Sequence, residues 1–192
     1  AIHAPVDRIG AYAGSAVMLG AVGVVAVLLG WDDPGPVGMG LTFPSPRAFA
    51  TWMGILVGVA VLLQGGFLLL SRRFGLRESP LLRSLLPRTG REKRAFAGLS
   101  LVAGAGEEIA FRGYAIPLLA PVLGGPAAAV ALTSVVFGLL HAYQGPIGIF
   151  RTALFGAVLA VAFVASGSLW PAMIVHFAMN VVVGVWLGER WV

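Results

Sequence analysis

Cysteine is absent from the chain, which rules out a disulfide framework and any thiolate metal site and leaves the redox compartment unreadable. Charge is scarce. Only 11% of the 192 residues are Asp, Glu, Lys or Arg against 58% hydrophobic ones, far from a soluble globular composition. No repeat, low-complexity tract or long linker divides the sequence, and no HExxH stretch marks a zinc metalloprotease. What remains in quantity is apolar sequence. Runs at 9–31, 49–70, 95–119, 126–141, 147–166 and 169–188 match or approach the roughly 20 residues a helix needs to cross a bilayer, the fourth being the shortest. The first is too long for a signal-peptide core and lacks an obvious cleavage site. The expected fold is all-α, a polytopic transmembrane helix bundle of about six spans. It forms one structural domain, with 1–94 supplying two N-terminal spans and a basic loop and 95–192 a four-span core.

The few charges are unevenly placed. Eight of the 13 Lys and Arg fall in SRRFGLRESPLLRSLLPRTGREKR, positions 71–94, which the positive-inside rule reads as a cytoplasmic loop. Both termini, with Arg8 and Arg190, are then expected inside and Asp32 and Asp33 outside, Arg47 being the exception. This concentration, rather than the net charge of +5, decides the partner: a lipid bilayer and no nucleic acid. Leu81, Leu82, Leu85 and Leu86 among the arginines admit two readings, an interfacial helix on anionic headgroups or a solvated loop that only signals topology. The pairs Gly10/Gly14, Gly54/Gly58 and Gly184/Gly188 read as helix-packing signals. Trp31, Trp52, Trp170, Trp186 and Trp191, near predicted span ends, read as interface anchors.

Ionisable residues inside spans cost roughly 2.5–3.5 kcal/mol each and mark candidate functional sites. Glu107, Glu108 and Arg112 lie in the third run, His141 ends the fourth, and His176 with Asn180 lies in the sixth. Glu108 and Arg112 are four apart in the favourable order for a structural ion pair. Glu107 points about 100° away around the axis and is expected not to share that partner face. It is the odd carboxylate, a candidate general base. Either histidine alone reads as a satisfied structural residue. Together, and with i,i+4 neighbours Phe137 and Asn180, they suggest a polar cluster drawn from three helices, which is an active-site hypothesis.

The stretches EEIAFR (Glu107 to Arg112), FGLLH (Phe137 to His141) and HFAMN (His176 to Asn180) resemble the EExxxR, FxxxH and HxxxN motifs of the CPBP or Abi family. That family comprises the CAAX prenyl endopeptidases and bacterial proteins of bacteriocin processing and self-immunity. The three motifs occur in order on three of the last four spans, within about 98–188. The first two spans and the basic loop carry nothing diagnostic, and the chain is smaller than the eukaryotic members with eight spans.

The resemblance implies an intramembrane glutamate protease of the CPBP type. Glu107 would activate water with help from His141, His176 and Asn180 would donate to the developing oxyanion, Glu108 and Arg112 would hold the third helix, and Phe137 would pack beside the site. It favours no cofactor; a zinc ion would take Glu107, His141 and His176 as a His₂Glu set. The implied substrate is a membrane-associated peptide or protein. The Ala, Gly, Val and Arg bias points to a prokaryotic plasma membrane, hence to leader peptides or membrane-protein tails rather than prenylated CAAX proteins. Two other classes stand beside this reading: a catalytically silent module acting in immunity or as a scaffold, and a proton-coupled transporter, against which the lack of repeat symmetry counts. One spatial problem follows from a rise of about 1.5 Å per residue. His141 falls near the cytoplasmic end of its span and His176 nearer the outer end of its own, so straight, upright helices would hold them apart.

Overall fold

The structure is a computed structural model that describes residues 6–187. Gly188, Arg190 and Trp191, read above as part of a packing pair, an inner-face charge and an interface anchor, lie outside the described residues. Every regular element among those described is helical: α1 (Arg8–Leu29), α2 (Gly35–Gly38), α3 (Pro46–Phe74), α4 (Pro80–Leu85), α5 (Gly90–Glu108), α6 (Ile116–Leu119), α7 (Pro126–Leu140), α8 (Pro146–Ser166) and α9 (Trp170–Val181). A π-helical turn at Ile109–Ala115 joins α5 to α6, another at Val182–Leu187 extends α9, and a 3-10 turn at Ala142–Gln144 follows α7. Each of the six apolar runs is thus a helical rod, and the third is composite. Of these rods α1, α3 and α8 are long and apolar enough to cross a membrane, whereas α7 and α9 are apolar but shorter.

Local chemistry sets the helix starts. Pro46, Pro80, Pro126 and Pro146 each open a helix, where the missing N–H costs nothing. The Asp7, Ser45 and Ser79 side chains accept from the backbone N–H groups of Gly10, Ala48 and Leu82. A capping box between Thr89 and Glu92 starts α5 within the basic segment. The Arg88 and Thr89 N–H groups bonded to the Glu92 carboxylate are among the causes that hold its pKa below the ordinary value, the Thr89 bond being the largest.

α8 stands at the centre, with Leu159 and Ala160 fully buried. On one side Leu56, Ala60, Ala172 and Val175 bring α3 and α9 against it, and on the other Ile116, Ala129 and Leu169 bring α6, α7 and the start of α9. α5 packs between α1 and α9. Two unflagged glycines make that possible. A Cβ on Gly104 would stand 3.0 Å from the Met173 carbonyl of α9, and one on Gly23 would stand 2.8 Å from the Gly106 Cα, so both neighbours touch α5 just before Glu107.

The glycine pairs flagged in the sequence mostly do not pack. Gly14, Gly54 and Gly58 face open space, Gly10 faces only its own capping Asp7, and Gly184 alone of the described members meets a neighbour, Phe96. Spacing puts two glycines on one helix face without saying which face meets a partner. Trp52, read as an interface anchor, is partly buried and packs on the Leu56 cluster. The basic segment contains a short helix, α4, that is tied to the bundle. Arg8 Nε donates to the Ser84 carbonyl at 2.8 Å, the Tyr12 hydroxyl donates to the Leu85 carbonyl, and the Ser79 hydroxyl donates to the Tyr143 carbonyl, tying α4 down on both sides.

Candidate active site

Pro117 shapes the helix that carries Glu107 and Glu108. It has no N–H to give, and its ring opposes the Gly113 carbonyl of a regular α-helix. The preceding turn widens, and the Ile116 N–H bonds back to Phe111 instead. Arg112 sits in this turn. Its Nη1 donates to Glu108 Oε1 at 3.0 Å and its Nη2 to the Gly156 carbonyl of α8 at 2.9 Å, with the arginine and glutamate side chains 1% and 0% exposed. The i,i+4 ion pair expected from the sequence is therefore present and deeply buried. The Phe137 ring lies 4.4 Å from the guanidinium. Gly156 is required beside it, since a Cβ there would come within 2.9 Å of Arg112 Nη2 and 3.0 Å of Phe137.

Among the described contacts Glu107 has none to Arg112, as expected, but it shares a different partner, His176, with Glu108. His176 Nδ1 lies 2.8 Å from Glu108 Oε1, and His176 Nε2 lies 3.5 Å from Glu107 Oε2. An imidazole has a nitrogen on each edge, so one ring from α9 spans the angle between two consecutive residues of α5. Phe137 reaches both histidines, with ring centroids 4.7 Å from His141 and 6.0 Å from His176. The expected axial separation of the histidines is thus overcome. α7, at 15 residues, rises only about 22 Å, so its C-terminal His141 ends short of a full crossing. His141 Nδ1 donates to the Phe137 carbonyl at 2.8 Å, leaving Nε2 available.

A cavity of about 660 Å³, mostly apolar, opens beside this cluster. Glu107, His141 and Asn180 line it, whereas His176, 4% exposed, stands behind Glu107. Met18 and Leu19 of α1 and Leu82 and Leu85 of α4 form other parts of the wall, so the N-terminal half, which carried no motif, contributes to the site. Sequence reasoning also missed a second polar group on that wall. Arg151 of α8 pairs with Glu78, and its Nη2 donates to Gln144 Oε1 at 3.0 Å. Arg151 stood in an apolar run and was open to detection by the rule that found Arg112. Glu78, one of two acids among eight basic residues, gave no signal. Among the described residues no group of three or more His, Cys, Asp or Glu side chains is arranged to hold a metal ion.

Fold and site together define a membrane helix bundle with a carboxylate–histidine centre on an apolar cavity. A family model described as Rce1-like, type II CAAX prenyl endopeptidase, matches residues 93–182, which contain all three motifs. Over that stretch, a little under half of the chain, the sequence is similar to this prenyl endopeptidase family, in keeping with the CPBP/Abi resemblance of its motifs. No curated protein and no solved structure matches the chain.

Proposed function

We propose that the protein is an intramembrane endopeptidase that hydrolyses a peptide bond in a membrane-associated peptide or protein, using water activated by Glu107 and His141 and no metal. The observation that carries this reading is the convergence of Glu107, His141 and Asn180, from three helices, on one apolar cavity. Water held between the Glu107 carboxylate and His141 Nε2 loses a proton as its oxygen attacks the substrate carbonyl carbon. The Asn180 amide donates to the developing oxyanion, an interaction whose removal in other proteases costs about 2.7–4 kcal/mol. The apolar wall suits a substrate segment that partitions into the bilayer. Glu78, Leu82 and Leu85, from the basic segment at 71–94, wall the cavity, so the positive-inside rule turns its opening to the cytoplasm of a prokaryotic cell.

The test compares membranes from cells carrying wild type or Glu107→Ala at matched expression and reads new peptide termini by proteomics. Termini that vanish with Glu107 support the reading and name the substrate. Unchanged termini sink it and leave a silent immunity or scaffold module. Chelator treatment of the purified protein is expected to leave cleavage unchanged, with no zinc found on elemental measurement; activity lost on chelation and restored by zinc overturns the metal-free mechanism.

A further inference from the structure

The basic segment at 71–94 keeps neither of its two acids for its own arginines. Glu78 is 8% exposed and pairs with Arg151 of α8, while Glu92 is taken by Arg8 of α1 and by the backbone N–H groups of Arg88 and Thr89. Arg72, Arg73 and Arg77 before α4, and Arg88, Arg91 and Arg94 after it, are exposed and have no carboxylate partner among the described residues. The fold thus leaves positive charge uncompensated on both flanks of one short helix. Depth places part of that charge. α3 has 29 residues and rises about 43 Å, more than the roughly 30 Å hydrocarbon core and close to the thickness of a bilayer with its headgroups. Arg72 and Arg73, in its last turn, therefore reach headgroup level. Phe74, Leu76 and Leu81, interleaved with the arginines, are 64%, 42% and 54% exposed. Apolar side chains alternating with cations suit the boundary between headgroups and acyl chains, not open water.

We infer that the exposed arginines on both flanks of α4 bind the phosphates of anionic phospholipids, and that this contact holds α4 over the cavity. A guanidinium meets a phosphate through two parallel N–H···O bonds, and each cation near an anionic surface strengthens attachment by about fivefold. The link to the cavity is α4 itself, which gives Leu82 and Leu85 to the wall that Glu107 also lines. None of its residues is buried, and polar contacts fasten it: Arg8 to the Ser84 carbonyl, Tyr12 to the Leu85 carbonyl and Ser79 to the Tyr143 carbonyl. With so little apolar burial of its own, its seat depends on what grips its flanks. Anionic lipid on both sides fixes it, whereas a neutral bilayer leaves it to the polar ties. Headgroup charge thereby sets how freely the cavity opens, a property separate from what the cavity cleaves.

The test uses the full chain in nanodiscs of phosphatidylcholine alone or of equal parts phosphatidylcholine and phosphatidylglycerol. Native mass spectrometry of protein released from the mixed discs is expected to show phosphatidylglycerol retained in preference to phosphatidylcholine, and added inorganic phosphate is expected not to displace it. The triple variant Arg72→Gln, Arg73→Gln, Arg77→Gln is expected to lower that preference by about 10- to 100-fold. Equal retention of the two lipids by wild type, displacement by inorganic phosphate, or a preference that survives in the variant overturns the lipid site. Should the variant not insert, salt on wild type replaces it: the preference is expected to fall as ionic strength rises, and one indifferent to salt overturns the site. Because the chain has no cysteine, a single Leu85→Cys reports access to the cavity by its rate of reaction with N-ethylmaleimide. Val37→Cys, exposed on α2 beyond the other end of α1, corrects for the effect of lipid charge on the reagent. The corrected rate is expected to be about 10-fold slower in the mixed discs, with the difference gone in the triple variant. Equal corrected rates in the two discs overturn the hold of lipid on α4. None of these readouts needs proteolysis, so a chain that cleaves nothing ends the endopeptidase reading and leaves this inference to be judged on its own results.

Discussion

Arg112 and Arg151 are the same side chain on apolar helices of one bundle, and each is paired with a glutamate. Their settings differ in reach and in depth. The partner of Arg112 is four residues away on the same rod and both side chains are sealed, 1% and 0% exposed. The partner of Arg151 is 73 residues away in the segment leading into α4, and the pair keeps 12% and 7% exposure beside the cavity. A pair on one helix forms as soon as the helix does, and burial then makes each member indispensable to the other. A pair between distant segments forms only after the bundle has closed. Partial exposure lets water replace a lost partner. The first arrangement belongs to the interior of the candidate centre, whereas the second ties a covering segment to the wall of the cavity.

Three substitutions sharpen this contrast. Arg112→Ala leaves Glu108 charged, buried and without its cation, and is expected to cost about 3–5 kcal/mol, seen as loss of folded protein in detergent or a steep drop in Tm. Melting like wild type would refute the structural role of the pair. Gly156→Ala attacks the same arginine from the other side, because the added methyl overlaps Arg112 Nη2 and Phe137. A cost of about 1–3 kcal/mol is expected from overpacking, and an unchanged Tm would show that α8 can yield there. Arg151→Ala should cost least, about 1 kcal/mol, because cavity water can solvate Glu78. Its clearer sign is faster protease nicking between positions 75 and 90; a cut rate equal to wild type would mean that Ser79, Tyr12 and Arg8 hold α4 without Arg151.

The candidate site was legible where its geometry is local. Glu108 and Arg112 obey helix spacing, Phe137 and His141 share one turn, and all three motifs fall inside the stretch that the family model matches. The apolar runs begin within one residue of α7 and α8 but three and five residues inside α3 and α5, whose first turns are polar. Helix faces were not legible, because a transmembrane helix is apolar all round and carries little record of which side meets protein and which meets lipid. For that reason the spacing of Gly54 and Gly58 suggests packing where there is open space, while Gly104, Gly106 and Gly156, which do meet neighbours, carry no spacing signal. The bridging of two consecutive glutamates by His176 was hidden too, since helix periodicity describes where side chains leave the axis and not where a long one ends.

Composition and spacing alone determined that the chain is a membrane helix bundle and singled out a few polar residues inside it, because the bilayer makes apolar length compulsory and buried charge conspicuous. Tertiary structure alone decided that α1 and α4 wall the cavity, that Glu78 meets Arg151, and that His176 lies between Glu107 and Glu108. Each of these depends on the packing of residues tens of positions apart, and no local pattern in the sequence constrains that distance.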